Sequence, residues 1–358
     1  MLFYVVVFFS ALIFTVILTP QIKKLAIRLK AFDRPNKRKV HRKPTPRLGG
    51  LSLYIGFILS LILVSWLLRS FGIRISQREM LSLVGLLIGS SIVFLVGVID
   101  DIYGVNVAFK FTGQIIASLV AIFFGVQIFF IATPFNTLLY LGVWAVPFTL
   151  VWMVGITNAL NLIDGLDGLA SGVAAIAALT LFFVAIRTGQ LPAAILSLII
   201  AGISVGFLRY NFHPASIFLG DSGSLFLGFL LASLSVVGVL KSTIVIAFIV
   251  PIFVLGIPIY DTATVIIRRM REKKGIFKAD KRHFHHRLLK AGFSQREAVA
   301  VIYIACALLG SAALIATAFN NYQIIIFLSI IVVGAILGMD LAKDILRRST
   351  QGSSRREK

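Results

Sequence analysis

Residues 80–101 read MLSLVGLLIGSSIVFLVGVIDD, twenty positions without a charge followed by two adjacent carboxylates. A helix of that length rises about 30 Å, the thickness of a bilayer's hydrocarbon core. The stretch therefore predicts a spanning helix that delivers Asp100 and Asp101 to a membrane boundary. Ten further runs have the same character, at 2–19, 51–68, 111–131, 137–157, 168–186, 191–208, 222–240, 242–260, 298–319 and 321–339. The fold expected is an all-α polytopic membrane protein with about eleven spans. Composition agrees: 58% of the chain is apolar, only 14% is charged, and the mean hydropathy is +0.97, which excludes an ordinary soluble fold. The single cysteine, Cys306, cannot form an intrachain disulfide, so a disulfide-stapled scaffold is excluded as well. No Lys or Arg precedes the first run, and no small-residue cleavage site follows it before the basic stretch, so it is expected to be a retained helix rather than a signal peptide.

An odd number of spans places the termini on opposite sides, and the loops then divide into two sets. Loops 20–50, 100–110, 158–167, 209–221 and 261–297, with the C-terminal tail, hold 30 of the 35 Lys and Arg residues. The other side holds Arg69, Arg74, Arg78, Arg187 and Lys241. The positive-inside rule makes the first set cytoplasmic, with the N-terminus outside and the C-terminus inside. This accounts for the net charge of +21 without nucleic acid, and no P-loop or GxGxxG fingerprint is present. Residues 1–348 are expected to form one integral-membrane domain, and the basic tail 349–358 to be disordered.

Carboxylates near hydrocarbon are costly unless paired, hydrated or bound to a cation. Asp100, Asp101, Asp164, Asp167, Asp221 and Asp261 nonetheless all sit at or beside span ends on the predicted cytoplasmic side. Helix capping would explain any one of them. Their clustering points to a site. Adjacent Asp100 and Asp101 make sense beside a divalent cation or a cationic ligand. The segment NALNLIDGLDGL at 158–169 repeats Asn158, Asn161, Asp164 and Asp167 every three residues, one face if helical, while its glycines permit a turn or close approach of a ligand. FLGDSGS at 218–224 sets Asp221 among glycine and hydroxyls at the start of a span, where backbone N–H groups can face an anion. The stretch 281–287 gathers His283, His285 and His286 beside Lys281, Arg282 and Arg287. Zinc is the rival reading of His-x-His-His, but those cations repel a metal and suit phosphate oxygens. Acids for a divalent cation and bases for phosphate, on one face of a membrane, predict phosphoryl transfer at the interface.

In this order and spacing, DD at 100–101, NALNLIDGLDGL, FLGDSGS and HFHHR at 283–287 resemble the polyprenyl-phosphate N-acetylhexosamine-1-phosphate transferase family. The HFHHR form and eleven spans are similar to the bacterial branch that transfers GlcNAc-1-phosphate to undecaprenyl phosphate. The phospho-MurNAc-pentapeptide branch is the near alternative. The resemblance implies that UDP-GlcNAc and undecaprenyl phosphate give undecaprenyl-diphospho-GlcNAc and UMP, at the inner membrane, as the first membrane step of an envelope glycan such as teichoic acid or lipopolysaccharide. It implies Mg²⁺, or Mn²⁺, held by Asp221 and Asn161, and a nucleotide facing Asp164, Asp167 and Asn158 with Phe218 stacked on uracil. Asp100 or Asp101 would act as base or set the charge of the metal site. His283, His285, His286 and Arg287 would bind the diphosphate. Lys110 and Asn211 are rim candidates. Fuller versions of the first motif carry a third acid where this chain has Gly104, so a role requiring that acid is not expected. A homodimer is left open. A transporter would place ionisable residues near mid-membrane, and an aspartyl intramembrane protease would need its paired motifs in the opposite order; neither pattern is present.

Overall fold

The computed structural model describes residues 2–33, 44–132, 138–239, 252, 254–271 and 283–316. Within them the chain is helical, in the order α1 (Leu2–Arg28), α2 (Gly49–Ser70), α3 (Gln77–Tyr103), α4 (Val107–Phe123), α5 (Ala145–Ile163), α6 (Leu169–Arg187), α7 (Leu191–Asn211), α8 (Gly220–Val239), α9 (Gly256–Arg271), α10 (Phe284–Lys290) and α11 (Gln295–Ala316). Two short antiparallel hairpins interrupt it. Strand β1 (Phe32–Asp33) pairs with β2 (Thr45–Pro46), and β3 (Phe130–Ala132) with β4 (Leu138–Tyr140).

A chain this apolar has no solvent partner for its backbone in lipid, so helices close those bonds internally. Buried hydroxyls do the same: Thr15, Ser60, Ser118 and Thr157 each donate to the carbonyl four residues earlier. Eight of the described helices are long and apolar enough to cross a bilayer. The protein is thus the predominantly helical, polytopic membrane protein its composition predicts.

Several boundaries differ from expectation. Helix α1 continues to Arg28, so the first part of loop 20–50 is helical. Helix α4 ends at Phe123, and the residues expected to complete a span over 111–131 enter the β3–β4 hairpin instead. The expected span 137–157 is displaced for the same reason, its first residues forming β4 and its helix running from Ala145 to Ile163. An apolar run specifies burial rather than conformation, and the rings of Phe130 and Tyr140, 5.3 Å apart, pair across the strands. Of the expected span 242–260, only Gly256 onward belongs to a described helix, and α9 then carries Asp261 beyond the predicted end. The span 321–339 and the tail 349–358 lie outside the described residues, as do Lys281 and Arg282.

Helix α8 is the hub, packed on α2, α3, α5, α6 and α7, while α7 lies between α1 and α6. Phe57, Phe207, Phe226 and Phe229 are fully buried around it. Helix α3 meets the first turn of α8 at glycine distance: a Cβ on Gly97 would stand 2.4 Å from Ser222 Cα. That approach brings Asp100 and Asp101, one turn further along α3, against the start of α8.

Candidate active site

Three segments far apart in sequence meet at this end of the bundle. Phe218 N–H donates to Pro46 O at 2.8 Å, and Gly49 and Gly50 N–H donate to Phe218 O and Leu219 O at 3.0 and 2.9 Å. The stretch before α2 is thereby stitched to the stretch before α8. Arg47 is carried into the carboxylates, its Nη2 2.8 Å from Asp101 Oδ1, 3.5 Å from Asp100 Oδ2 and 3.7 Å from Asp221 Oδ1. From α4, Lys110 Nζ lies 2.9 Å from Asp100 Oδ2 and hydrogen-bonds to Asp221. Burial works against the Arg47 charge, but the carboxylates of Asp101 and Asp221 outweigh it and raise its pKa above the ordinary arginine value.

The two adjacent acids differ in what they face. Asp101 Oδ1 accepts the N–H of Asp221 at 2.9 Å, and Oδ2 accepts the N–H and hydroxyl of Ser222 at 3.1 and 2.5 Å. It caps α8 from a different helix, with its side chain wholly enclosed. Asp100 accepts from Val105 N–H at 3.0 Å and from Lys110, and its other neighbour in the cluster is Asp221, the most exposed of the three. Ligand atoms of Asp100, Asp101 and Asp221 all lie within 4.8 Å of one another, so the group could hold a metal ion. Asn161, expected beside Asp221 in that group, is not a member of it and donates instead to Ser224 Oγ, one turn along α8 from Asp221, at 2.8 Å.

Next to this cluster a cavity of about 330 Å³ is walled by Arg47, Asp164, Asp167, Phe218, Asp221 and His286, with Asp33, Asn211 and Gln295 also on its lining. Asp164 and Asp167 do not continue the helical face of Asn158 and Asn161. Helix α5 stops at Ile163, and Gly168, at φ +79°, starts α6 from a left-handed conformation, so both acids sit on a turn that opens into the cavity. Burial, and next the negative charges of Asp221 and Asp101, hold the Asp164 carboxyl well above its usual pKa. Asp167 is braced by His213 Nδ1 at 2.7 Å and by Ala215 N–H at 3.1 Å.

Other expected site residues also bond to the protein frame. Asn211 accepts from Gly168 N–H and Ser171 Oγ at 3.2 and 2.9 Å and donates to Ile217 O, tying the loop before α8 to α6. Asn158 pairs with the buried Gln114 of α4 and is not on the cavity wall. The histidines separate by position. His283 Nδ1 hydrogen-bonds to Asp261 at 2.8 Å, and the same carboxylate accepts Phe284 N–H at 2.6 Å, anchoring the start of α10 to α9. His285 is buried with its Nε2 against Gly165, where a Cβ would stand 2.5 Å away. Burial, then repulsion from His286 and His283, depresses its pKa to about 3, so it is a neutral imidazole. Of the HFHHR residues, His286 alone lines the cavity, while Arg287 points to solvent.

Arg47 is the main residue that the sequence reading missed. It was one of eleven basic residues in the 20–50 loop, and only the following Gly49-Gly50 pair marked the position as a close backbone approach. In the sequence Asp261 is an interfacial acid with no marked partner, and its link to His283 spans 22 positions.

A membrane bundle with an interfacial pocket of acids and bases has the layout of a membrane-embedded transferase, and comparison with known proteins supplies the family. The profile of glycosyl transferase family 4 matches residues 83–239, the region containing the first three motifs. The chain is 40% identical to the probable undecaprenyl-phosphate N-acetylglucosaminyl 1-phosphate transferase of Bacillus subtilis (strain 168), over 91% of this chain and 90% of that protein. It is 33% identical to the decaprenyl-phosphate N-acetylglucosaminephosphotransferase of Mycolicibacterium smegmatis, over 96% and 89%. It is also 33% identical to the phospho-N-acetylmuramoyl-pentapeptide-transferase of Halalkalibacterium halodurans, over 81% and 90%. The chain belongs to glycosyl transferase family 4 and is a phosphoglycosyltransferase.

Proposed function

We propose that the protein transfers GlcNAc-1-phosphate from UDP-GlcNAc to undecaprenyl phosphate, giving undecaprenyl-diphospho-GlcNAc and UMP. The observation that carries this reading is the cavity in which Asp164, Asp167, Phe218, Asp221 and His286 meet beside the Asp100–Asp101–Asp221 cluster. The names of the Bacillus and Mycolicibacterium relatives support the acceptor class and the sugar. The bilayer supplies the lipid acceptor directly to a pocket at the end of the spans. The one-sided Lys and Arg loops argue that this end is cytoplasmic, in a single catalytic domain over 1–348. Each of the loops 20–50, 158–167, 209–221 and 261–297 supplies at least one described residue to the cavity, while 100–110 supplies Asp100 and Asp101 to the carboxylate cluster beside it.

In the reaction an oxygen of the acceptor phosphate attacks the phosphorus bearing the sugar. The bond to the UMP phosphate breaks, and UMP leaves with the electron pair. One phosphoanhydride is lost and one is gained, so no ATP is required. Phe218 offers a ring to uracil, and Asp164 and Asp167 offer acceptors to the nucleoside's hydroxyl and N–H donors. His286 and Arg47 line the cavity and Lys110 stands on the adjoining carboxylates, so these three are assigned to the diphosphate. The acceptor's second phosphate pKa lies near ~6, so it is mostly dianionic at neutral pH and needs little help from a base. Asp100 is then best read as setting the charge of the cluster and Asp101 as holding α8 in place.

The donor set fits a hard divalent cation: three carboxylates converge, and their charge is balanced by Lys110 and Arg47, which a cation and a diphosphate could replace as partners. Mg²⁺ or Mn²⁺ bound to Asp221 and its neighbours, with Asn161 behind, would neutralise the site so that one anion can approach another.

The deciding experiment incubates purified protein with UDP-GlcNAc and measures UMP. Release is expected only when undecaprenyl phosphate and Mg²⁺ are both present. UMP release from UDP-MurNAc-pentapeptide but not from UDP-GlcNAc would transfer the protein to the branch represented by the Halalkalibacterium relative. Sugar flux into vesicles without UMP would make it a transporter.

A further inference from the structure

At the opposite end of the bundle from the carboxylates, α2 and α3 enclose a second cavity. Tyr54 Oη lies 2.9 Å from Ser91 Oγ, and the Tyr54 ring stacks on Phe94 at 4.1 Å, which closes the space between the helices at its inner end. Beyond that closure is an apolar groove of about 560 Å³, walled by Ile62 and Trp66 of α2 and by Leu83 and Leu87 of α3, floored by Ile195 of α7 and ending at Arg69. From Ile58 to Arg69 it follows three turns of helix, about 17 Å, close to the depth of one hydrocarbon leaflet. Helix α2 begins at Gly49 beside Asp221 and ends at Ser70, so the groove opens in the other leaflet.

Its mouth has a distinctive charge. The positive-inside rule leaves five basic residues on this side, and three of them, Arg69, Arg74 and Arg78, fall within ten positions at the turn from α2 to α3. The acid in that turn, Glu79, is held by the capping box with Ser76, whose N–H and hydroxyl donate to it at 3.2 and 2.7 Å. Ile62 and Trp66 are each more than 60% exposed in the groove wall, so the wall is open to a lipid chain along the spanning helix.

We propose that this groove binds one anionic phospholipid of the leaflet opposite the active site, with an acyl chain between α2 and α3 and the headgroup phosphate at Arg69, flanked by Arg74 and Arg78. A chain one leaflet deep matches the groove's length, and a phosphate matches three guanidinium groups. The site stands independently of the reaction assigned above.

The test is native mass spectrometry of the full chain released from nanodiscs of equimolar phosphatidylglycerol and phosphatidylcholine. Wild type is expected to retain one lipid, favouring phosphatidylglycerol, whose phosphate charge no choline cancels, by about fivefold for each arginine that faces the headgroup. The triple variant R69Q/R74Q/R78Q should lose that preference, and R69K/R74K/R78K should keep most of it. Ile62→Trp, which fills the groove from an exposed position, should lose the retained lipid of either kind. Equal retention of both lipids by wild type, or an unchanged preference in the triple glutamine variant, would overturn the proposal. So would a dimer that carries no lipid and dissociates in Ile62→Trp, because the groove would then be occupied by a second copy.

Discussion

Arg47 and Asp101 pair at 2.8 Å across 54 positions of sequence, on a carboxylate that also accepts the N–H groups of Asp221 and Ser222. One enclosed acid thus joins the loop before α2, the end of α3 and the start of α8. The cavity wall depends on that junction, because Phe218, Asp221 and Arg47 all belong to it.

Removing Arg47 leaves the Asp101 charge enclosed without its cation, a loss that costs about 3 kcal/mol for a buried pair. Arg47→Ala is expected to lower the midpoint of thermal unfolding in detergent and to reduce UMP formation at least tenfold. Arg47→Lys should recover part of the stability, since the charge remains while the two-nitrogen contact to Asp101 is lost. Wild-type stability in the alanine variant would mean that the pair is not structural.

Asp100→Asn and Asp101→Asn are expected to fail differently. Asp101→Asn weakens a cap that accepts three hydrogen bonds, so it should destabilise the protein by about 1–2 kcal/mol as well as slow it. Asp100→Asn should keep near-native stability and lose turnover. Paired melting and rate measurements decide, and a reversed pattern would exchange the roles given to the two residues.

Chelation is expected to abolish UMP release, with Mg²⁺ restoring it. Asp221→Asn should raise the Mg²⁺ concentration for half-maximal rate and cut turnover by about a hundredfold, in line with losing a principal stabiliser of transition-state charge. Turnover within a few fold of wild type would falsify the role of Asp221 in the cation site.

Asp261 touches no cavity wall, yet it holds His283 and the first N–H of α10, the helix that carries His286 into the pocket. Asp261→Ala is expected to lower kcat by about tenfold while raising hydrogen exchange over 284–290, the usual size of effect for lost positioning around a functional group. Asp261→Asn, which keeps an acceptor, should rescue part of both. A rate loss without any change in exchange would argue for direct contact of Asp261 with substrate.

Acidification should loosen the same helix. His285 is neutral in the fold, with a pKa of about 3 against an ordinary 6.5. Above pH 6.5 it is neutral folded or unfolded, and stability is fully present. As pH falls below 6.5 the opened segment takes up a proton that the closed one does not, costing about 1.4 kcal/mol per pH unit. Amides of Phe284–Lys290 are therefore expected to lose protection between pH 7 and pH 5.5 after correction for intrinsic rates, and His285→Gln should flatten the dependence. Equal protection at both pH values would place His285 in contact with water.

The four motifs in the sequence located most of the cavity wall, because carboxylates such as Asp164 and Asp221 are costly at a membrane boundary and stand out by type, whereas Phe218, one of thirty phenylalanines, was marked only by the family resemblance of its motif. The partners of Asn158 and Asn211 were not legible, since an amide's identity does not reveal that one pairs with Gln114 away from the cavity while the other bonds Gly168 on its lining. The β3–β4 hairpin was hidden because its residues are as apolar as the spans beside it.

The amino-acid sequence by itself determined that this chain is a helical membrane protein, because the low polarity of its long runs leaves the backbone no partner but itself, and it marked the acids that meet at one end. Only the tertiary structure decided which acid is enclosed as a brace and which stays open in the cluster, that Arg47 lines the pocket, and that His286 rather than His283 or His285 reaches it. Those outcomes rest on contacts between side chains 22 to 121 positions apart, set by the close approach of α3 to α8 and of α9 to α10, and no local pattern encodes them.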